Sequence, residues 1–181
     1  MKKYIQVYDD VLSKDQCNVI IEKFEQSSEL HSRTVKPGHR YFTELNTSQS
    51  KDWQSMSMNI FSVLRPQVER YRLDCNITHN QWPDKFGFEQ IRFKKYNADG
   101  KDEFRSHVDV GDYASARRFL VFFLYLDDNK QGHTGFDEYD MKVQPKAGRL
   151  LMFPPLWTYL HTAYKPIEKP KYIIGSYLHY I

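Results

Sequence analysis

His107-Val108-Asp109 sets an imidazole and a carboxylate two positions apart. On a strand or its edge such residues point to one face, so both can reach a single ion. The pair alone says little. A chain with seven histidines yields on the order of half such a spacing by chance, and a hydrogen-bonded surface pair explains it equally well. His161, 54 residues further on, offers a third ligand. Two histidines and one carboxylate on one face of an iron leave three coordination positions open. Taken alone, His161 also reads as a satisfied core histidine beneath Phe153, Trp157 and Tyr159. Lys171 follows ten positions later. Inside a barrel its charge needs an anion, because an unpaired buried charge is costly. In the basic stretch 165–171 it reads equally as a solvated surface lysine.

These residues need a rigid frame, and the pattern of the chain supplies one. Ser13-Lys14-Asp15-Gln16 is a capping box, followed by Cys17, Ile20, Ile21 and Phe24 on one helical face. Residues 27–50 are polar and turn-rich, broken most clearly at Lys36-Pro37-Gly38. A second helix is expected from about Lys51, with Trp53, Met56, Ile60, Val63 and Leu64 inward and an end or kink at Pro66. Beyond Trp82-Pro83 the character changes to strands: 86–96, 118–126, 141–144, 149–153 and 171–180. The run 118–126 is nearly continuous in apolar residues, as in a strand buried on both faces. Turns fall at Asn97-Ala98-Asp99-Gly100 and Pro145-Lys146-Ala147-Gly148, and residues 127–135 form a polar loop. Helices first and many short strands after them point to helices packed on a β-sandwich or barrel.

In order and spacing, the segment from about residue 88 to 180 resembles the catalytic core of the prolyl 4-hydroxylase-like 2-oxoglutarate/Fe(II) dioxygenases. That family shows an HxD, a distal His and a basic residue ten positions after it, here His107, Asp109, His161 and Lys171. Tyr96 ahead of a Gly-containing loop, the strand opened by Arg118, and Pro145-x-x-Gly148-x-x-x-x-Phe153 before the distal His complete the match. The resemblance implies an α+β, mainly β fold: a double-stranded β-helix (jelly-roll) core over about 86–181, supported by N-terminal helices over about 1–85, in one domain spanning 1–181. It further implies Fe(II) held by His107, Asp109 and His161, with 2-oxoglutarate and O2 as cosubstrates and ascorbate as an optional reductant. Lys171 would bind the distal carboxylate of 2-oxoglutarate, with Tyr96 beside it. Arg118, Tyr177 and His179 would contact substrate, Tyr177 standing where the family has Trp. The reaction would hydroxylate a C–H bond and release succinate and CO2. Asp109, being present, favours hydroxylation over halogenation. A proline-containing peptide or protein is the expected substrate, with another peptide residue, a free amino acid or a small metabolite as the alternative. Departures from the pattern are Phe104, where the family has a second Tyr, and Gly132-His133-Thr134-Gly135 in place of Gly-Gly-x-Thr.

Composition narrows the other classes. With 181 residues, 40% apolar and 27% charged, the chain is long enough for one packed domain and too ordinary in composition for disorder. Aromatics at 15% fit a strand-rich interior. A net charge of +3 is too small to argue for nucleic acid or membrane. Nucleic-acid demethylases of the related repair group typically place arginine at the position of Lys171. No stretch is apolar for long enough to span a bilayer, and the start lacks the apolar core of a signal peptide. Two cysteines without a CxxC suggest a reducing, cytoplasmic setting. A monomer or homodimer is expected. A non-catalytic metal-binding barrel and a cupin-type enzyme remain competing readings. Neither explains a basic residue placed for a dicarboxylate, and both predict no succinate.

Overall fold

The computed structural model describes residues 1–181. Twelve strands and two α-helices make up the frame. The strands are β1 (Gln6–Tyr8), β2 (Ser32–Lys36), β3 (Arg40–Asn46), β4 (Phe86–Phe88), β5 (Arg92–Tyr96), β6 (Glu103–His107), β7 (Arg118–Tyr125), β8 (Thr134–Phe136), β9 (Met141–Val143), β10 (Leu150–Phe153), β11 (His161–Ala163) and β12 (Lys171–Tyr180). The helices are α1 (Lys14–Gln26) and α2 (Gln54–Asp74). Ten strands run in the order β1-β10-β7-β12-β5-β3-β6-β11-β8-β9, with β2 added to β3 and β4 to β12. All pairings are antiparallel. The sheet curls into a nearly closed jelly-roll barrel.

The two faces of β7 explain its continuous apolar run. Leu120, Phe122 and Leu124 join the core beneath α1 and α2, while Val121, Phe123 and Tyr125 fill the barrel. β10 alternates in the same way, with Leu150 and Met152 toward the helices and Leu151 and Phe153 inward. Ser13 caps α1 through the expected box, its hydroxyl accepting from Gln16 N and its amide donating to the Gln16 side chain. Gly148 is required by geometry. Its φ is +76°, and a Cβ there would lie 2.0 Å from the Leu12 carbonyl oxygen. Cys17 and Cys75 are both buried and free.

Four local expectations need correction. Residues 27–50 are more than turns, because β2 and β3 form a hairpin around Pro37-Gly38-His39, with His39 N donating to Lys36 O. β3 then enters the barrel wall, pairing β5 through its C-terminal half and β6 through its N-terminal half. Pro66 does not end α2, which continues to Asp74. Pro66 and Ser62 are both exposed, so the carbonyl freed by the missing N–H faces water. The span 86–96 is two strands, since Glu89 N donates to Tyr177 O and the Ser176 hydroxyl donates to Glu89 O, interrupting the ladder. His161 opens its own strand, β11, rather than lying between strands.

Candidate metal centre and cosubstrate pocket

His107 and His161 are direct cross-strand partners on β6 and β11, which brings together residues far apart in the chain. Asp109 follows the end of β6 and turns back toward both rings. His107 Nε2 lies 3.6 Å from Asp109 Oδ1, and His161 Nε2 lies 3.7 Å from Asp109 Oδ2. The three ligand atoms fall within 4.8 Å of one another. His107 Nδ1 donates to the Arg105 carbonyl at 2.7 Å and His161 Nδ1 to the Tyr159 carbonyl at 3.0 Å. A carbonyl only accepts, so both protons sit on Nδ1 and both Nε2 atoms present lone pairs inward. Phe104 stacks on His107, with centroids 3.4 Å apart, and fixes the ring plane.

Asp109 Oδ2 and His161 Nε2 are buried without a hydrogen-bond partner. Such orphaned atoms cost about 1–3 kcal/mol each unless something fills the gap. Burial lowers the pKa of His161 to about 4, so its imidazole is neutral at neutral pH. Burial pushes Asp109 up, but the neighbouring histidines and Lys94 outweigh it and hold the carboxyl well below its usual range. A neutral histidine, a carboxylate and a second histidine with its lone pair turned inward suit a divalent metal.

Lys171, only 1% exposed, pairs with Tyr96 in register between β12 and β5. Its Nζ donates to Gly132 O at 2.7 Å and Tyr164 O at 3.2 Å and sits 4.3 Å from the Tyr96 ring centre. No carboxylate pairs with it. Burial lowers its pKa to about 7 against the opposing charge of Asp127. A buried cation satisfied only by neutral carbonyls fits an incoming carboxylate. Beside it the buried hydroxyls of Tyr125 and Thr134 share a hydrogen bond of 2.6 Å. The cavity beside the triad, lined by Tyr96 and Thr134 but not by Lys171, holds only about 10 Å³, room for one water, so a five-carbon diacid reaches from the triad to Lys171 only if this lining repacks.

Of the remaining expected contacts, Arg118 and Tyr177 line an outer cleft of about 320 Å³ that also touches His107 and Asp109. The Arg118 fork is already filled: Nε and Nη2 each donate to Glu89 at 2.9 Å, and Nη1 reaches the Asp109 carbonyl at 3.3 Å. The guanidinium lies 4.0 Å over the Tyr177 ring. His179 packs against Gly87 and lines neither cavity. Residues that the sequence reading passed over are Tyr125, Thr134, Lys94 and Arg40. Period-2 alternation from Tyr96 back to Lys94, and along β7 to Tyr125, was the signal that could have found two of them.

Residues 91–179 match the family model of the 2OG-Fe(II) oxygenase superfamily. Over those residues the chain is a member of that superfamily. Its members use Fe(II), 2-oxoglutarate and O2, and this protein is a 2-oxoglutarate-dependent dioxygenase. Solved structures of similar fold include a viral collagen prolyl hydroxylase from Paramecium bursaria Chlorella virus-1 in complex with 2-oxoglutarate (18% identity, TM-score 0.73, 98% of this chain and 97% of that one). A prolyl hydroxylase from Trichoplax adhaerens, in complex with a hypoxia inducible factor peptide fragment, aligns over 98% of this chain and 84% of its own at 15% identity and TM-score 0.75. A Pseudomonas putida prolyl-4-hydroxylase aligns over 98% and 93% at 16% identity and TM-score 0.67. At these identities the likeness is one of fold. No curated protein matches the sequence. No helix of this oxygenase is long and apolar enough to cross a membrane.

Proposed function

We propose that this dioxygenase hydroxylates a prolyl residue of a peptide, with His107, Asp109 and His161 holding Fe(II) and Lys171 receiving the distal carboxylate of 2-oxoglutarate. One observation carries the site reading. Three ligand atoms converge, backbone carbonyls take the Nδ1 protons of both histidines, and a buried lysine without an acidic partner lies beyond them. When bound, iron with 2-oxoglutarate and O2 supplies the oxidising power that puts one oxygen atom into a C–H bond and the other into succinate. The chain's own part is positional. The Arg105 and Tyr159 carbonyls hold the two imidazoles in the ligating tautomer, and Phe104 keeps His107 in plane. Lys171 gives the cosubstrate a charge-assisted hydrogen bond and so a fixed orientation. Tyr96 beside Lys171 and Phe123 beside His161 present apolar rings to the cavity and exclude water. Arg118, gripped by Glu89, braces the backbone at Asp109 and stacks on Tyr177 at the entrance.

The prolyl substrate rests on the fold shared with prolyl hydroxylases. Trp157, 77% exposed, offers a flat face for a proline ring on the loop whose Pro155 carbonyl accepts from Val110, next to Asp109. The free, buried cysteines fit a reducing cytoplasm, and ascorbate would serve as a reductant between cycles. The test is anaerobic titration of the Fe(II)-loaded protein with 2-oxoglutarate. A weak visible charge-transfer band is expected, fading when air is admitted as succinate forms. Absence of the band in protein confirmed to hold one iron would remove the cosubstrate from the metal. Proline-rich peptides then identify the substrate through hydroxyproline formation.

A further inference from the structure

The mouth of the barrel carries four cations, Arg40, Arg92, Lys94 and Arg118. Two of them are occupied. Arg118 is held by both oxygens of Glu89, and Arg92 lies 3.6 Å from Glu44. Lys94 and Arg40 have no acidic partner. Strand alternation explains how they come together. On β5, Arg92, Lys94 and Tyr96 face the barrel while Phe93 joins the helix-side core. On β3, Arg40, Phe42 and Glu44 face inward while Leu45 joins the other side.

Glu44 and Lys94 are register partners, yet the Glu44 carboxylate turns to Arg92 and to the Thr34 hydroxyl. Lys94 Nζ makes no hydrogen bond or ion pair and lies 4.9 Å from the Phe42 ring centre and 5.9 Å from that of Phe104. The Arg40 guanidinium lies 5.4 Å from the same Phe104 ring, and its Nε is buried without a partner. Phe104 is the ring stacked on the metal ligand His107. Lys94 and Phe104 line both the outer cleft and the inner cavity beside the triad. The carboxylate of Asp109, the other acid of the cleft, is committed to the metal. Two half-buried cations are therefore held beside the reacting centre with no carboxylate in hydrogen-bond or ion-pair contact with either. Buried cations are normally paired.

We infer that the substrate carries a carboxylate close to the carbon it presents to the metal, and that Lys94 and Arg40 hold that carboxylate across the Phe104 ring. The inference rests on the oxygenase reading of the same site and names its substrate class. The carboxylate belongs either to an acidic side chain flanking the target residue of a peptide or to a free amino acid. It is not that of 2-oxoglutarate, whose cation is Lys171 at the closed end of the barrel, bonded to Gly132 and Tyr164 carbonyls.

Binding separates this claim from turnover. Protein loaded with Zn(II) in place of iron is titrated with a labelled proline pentapeptide bearing glutamate beside the proline, with its glutamine counterpart, and with free L-proline as competitor. The glutamate peptide or the free amino acid is expected to bind at least about tenfold tighter than the neutral peptide, with an advantage that shrinks as salt rises. Which of the two wins assigns the source of the carboxylate. In iron-loaded enzyme, Lys94→Met combined with Arg40→Met is expected to raise the KM of the preferred substrate about tenfold and that of 2-oxoglutarate by less than about twofold, with partial recovery in Lys94→Arg. Equal binding of all three probes overturns the inference without needing any variant to fold. A KM change falling on 2-oxoglutarate also overturns it and moves Lys94 to the cosubstrate. If no succinate forms in wild-type protein the oxygenase reading fails separately, and the Zn(II) titration still decides the carboxylate preference.

Discussion

Lys171 lies among two carbonyls and an aromatic face, and its proposed role as the anchor of the cosubstrate's distal carboxylate would make binding a proton-linked event. Burial lowers its pKa from 10.5 to about 7 in the free protein. Between those values the unfolded chain holds a proton that the folded chain has released, so this group's contribution to stability rises with pH through that window. An incoming carboxylate favours the ammonium and reverses the release. Binding of 2-oxoglutarate to Fe(II)-loaded, oxygen-free protein is therefore expected to take up close to one proton at about pH 8 and almost none at about pH 6. Calorimetric titration in two buffers of different ionisation enthalpy measures it. Lys171→Arg, charged at every accessible pH, is expected to abolish the uptake, and buffer-independent heat at the higher pH in the wild type would contradict Lys171 as the anchor.

At the scale of elements, the β2–β3 hairpin is fastened to the turn before β6 by a buried clip. Both terminal nitrogens of Arg33 reach the Asp102 carboxylate, which is fully buried and also accepts from the Asn97 amide at 2.8 Å. Arg33→Ala leaves that carboxylate with backbone and Asn97 donors only. The expected cost is about 1–3 kcal/mol, with faster amide exchange along β2 and β3. An unchanged melting temperature together with unchanged exchange would show that the clip does not hold the hairpin. This hairpin is also where the sequence was least legible. HxD, the distal histidine and the lysine ten beyond it were readable only through the family that they resemble in order and spacing, since each alone read equally as an ordinary surface or core residue. β2 and β3 carry polar residues on both faces, so no alternation of apolar residues announced strands in 27–50. Nothing in the sequence set Lys94 apart, because only a wall closed by β3 turns its face of β5 into an interior. Arg118 was visible, but its partner Glu89 lay in what read as one unbroken strand. α2 misled in the opposite sense, since it runs on through Pro66 to Asp74.

Across the whole molecule, the triad ties together two strands that otherwise pair only briefly. β6 and β11 share the His161–His107 and Ala163–Phe104 partners, with an irregularity between them. Three ligands spread over β6, the turn after it and β11 mean that a metal binds the folded barrel and not the open chain. Its binding free energy is then added to folding. At a hundredfold excess over Kd the gain is about 2.7 kcal/mol, which for a domain of this size raises the melting temperature by roughly 5–10 °C. Scanning calorimetry with Fe(II) under anaerobic conditions, or with Zn(II), measures the shift against chelated protein. Asp109→Ala removes a ligand and also relieves two neighbouring histidines of a buried carboxylate, so its metal-free form is expected to remain folded while the metal-dependent rise disappears. His161→Ala is expected to do the same from the opposite strand. A rise of equal size in both variants would mean that the stabilising metal binds elsewhere, and the convergence of the three side chains would then need another explanation.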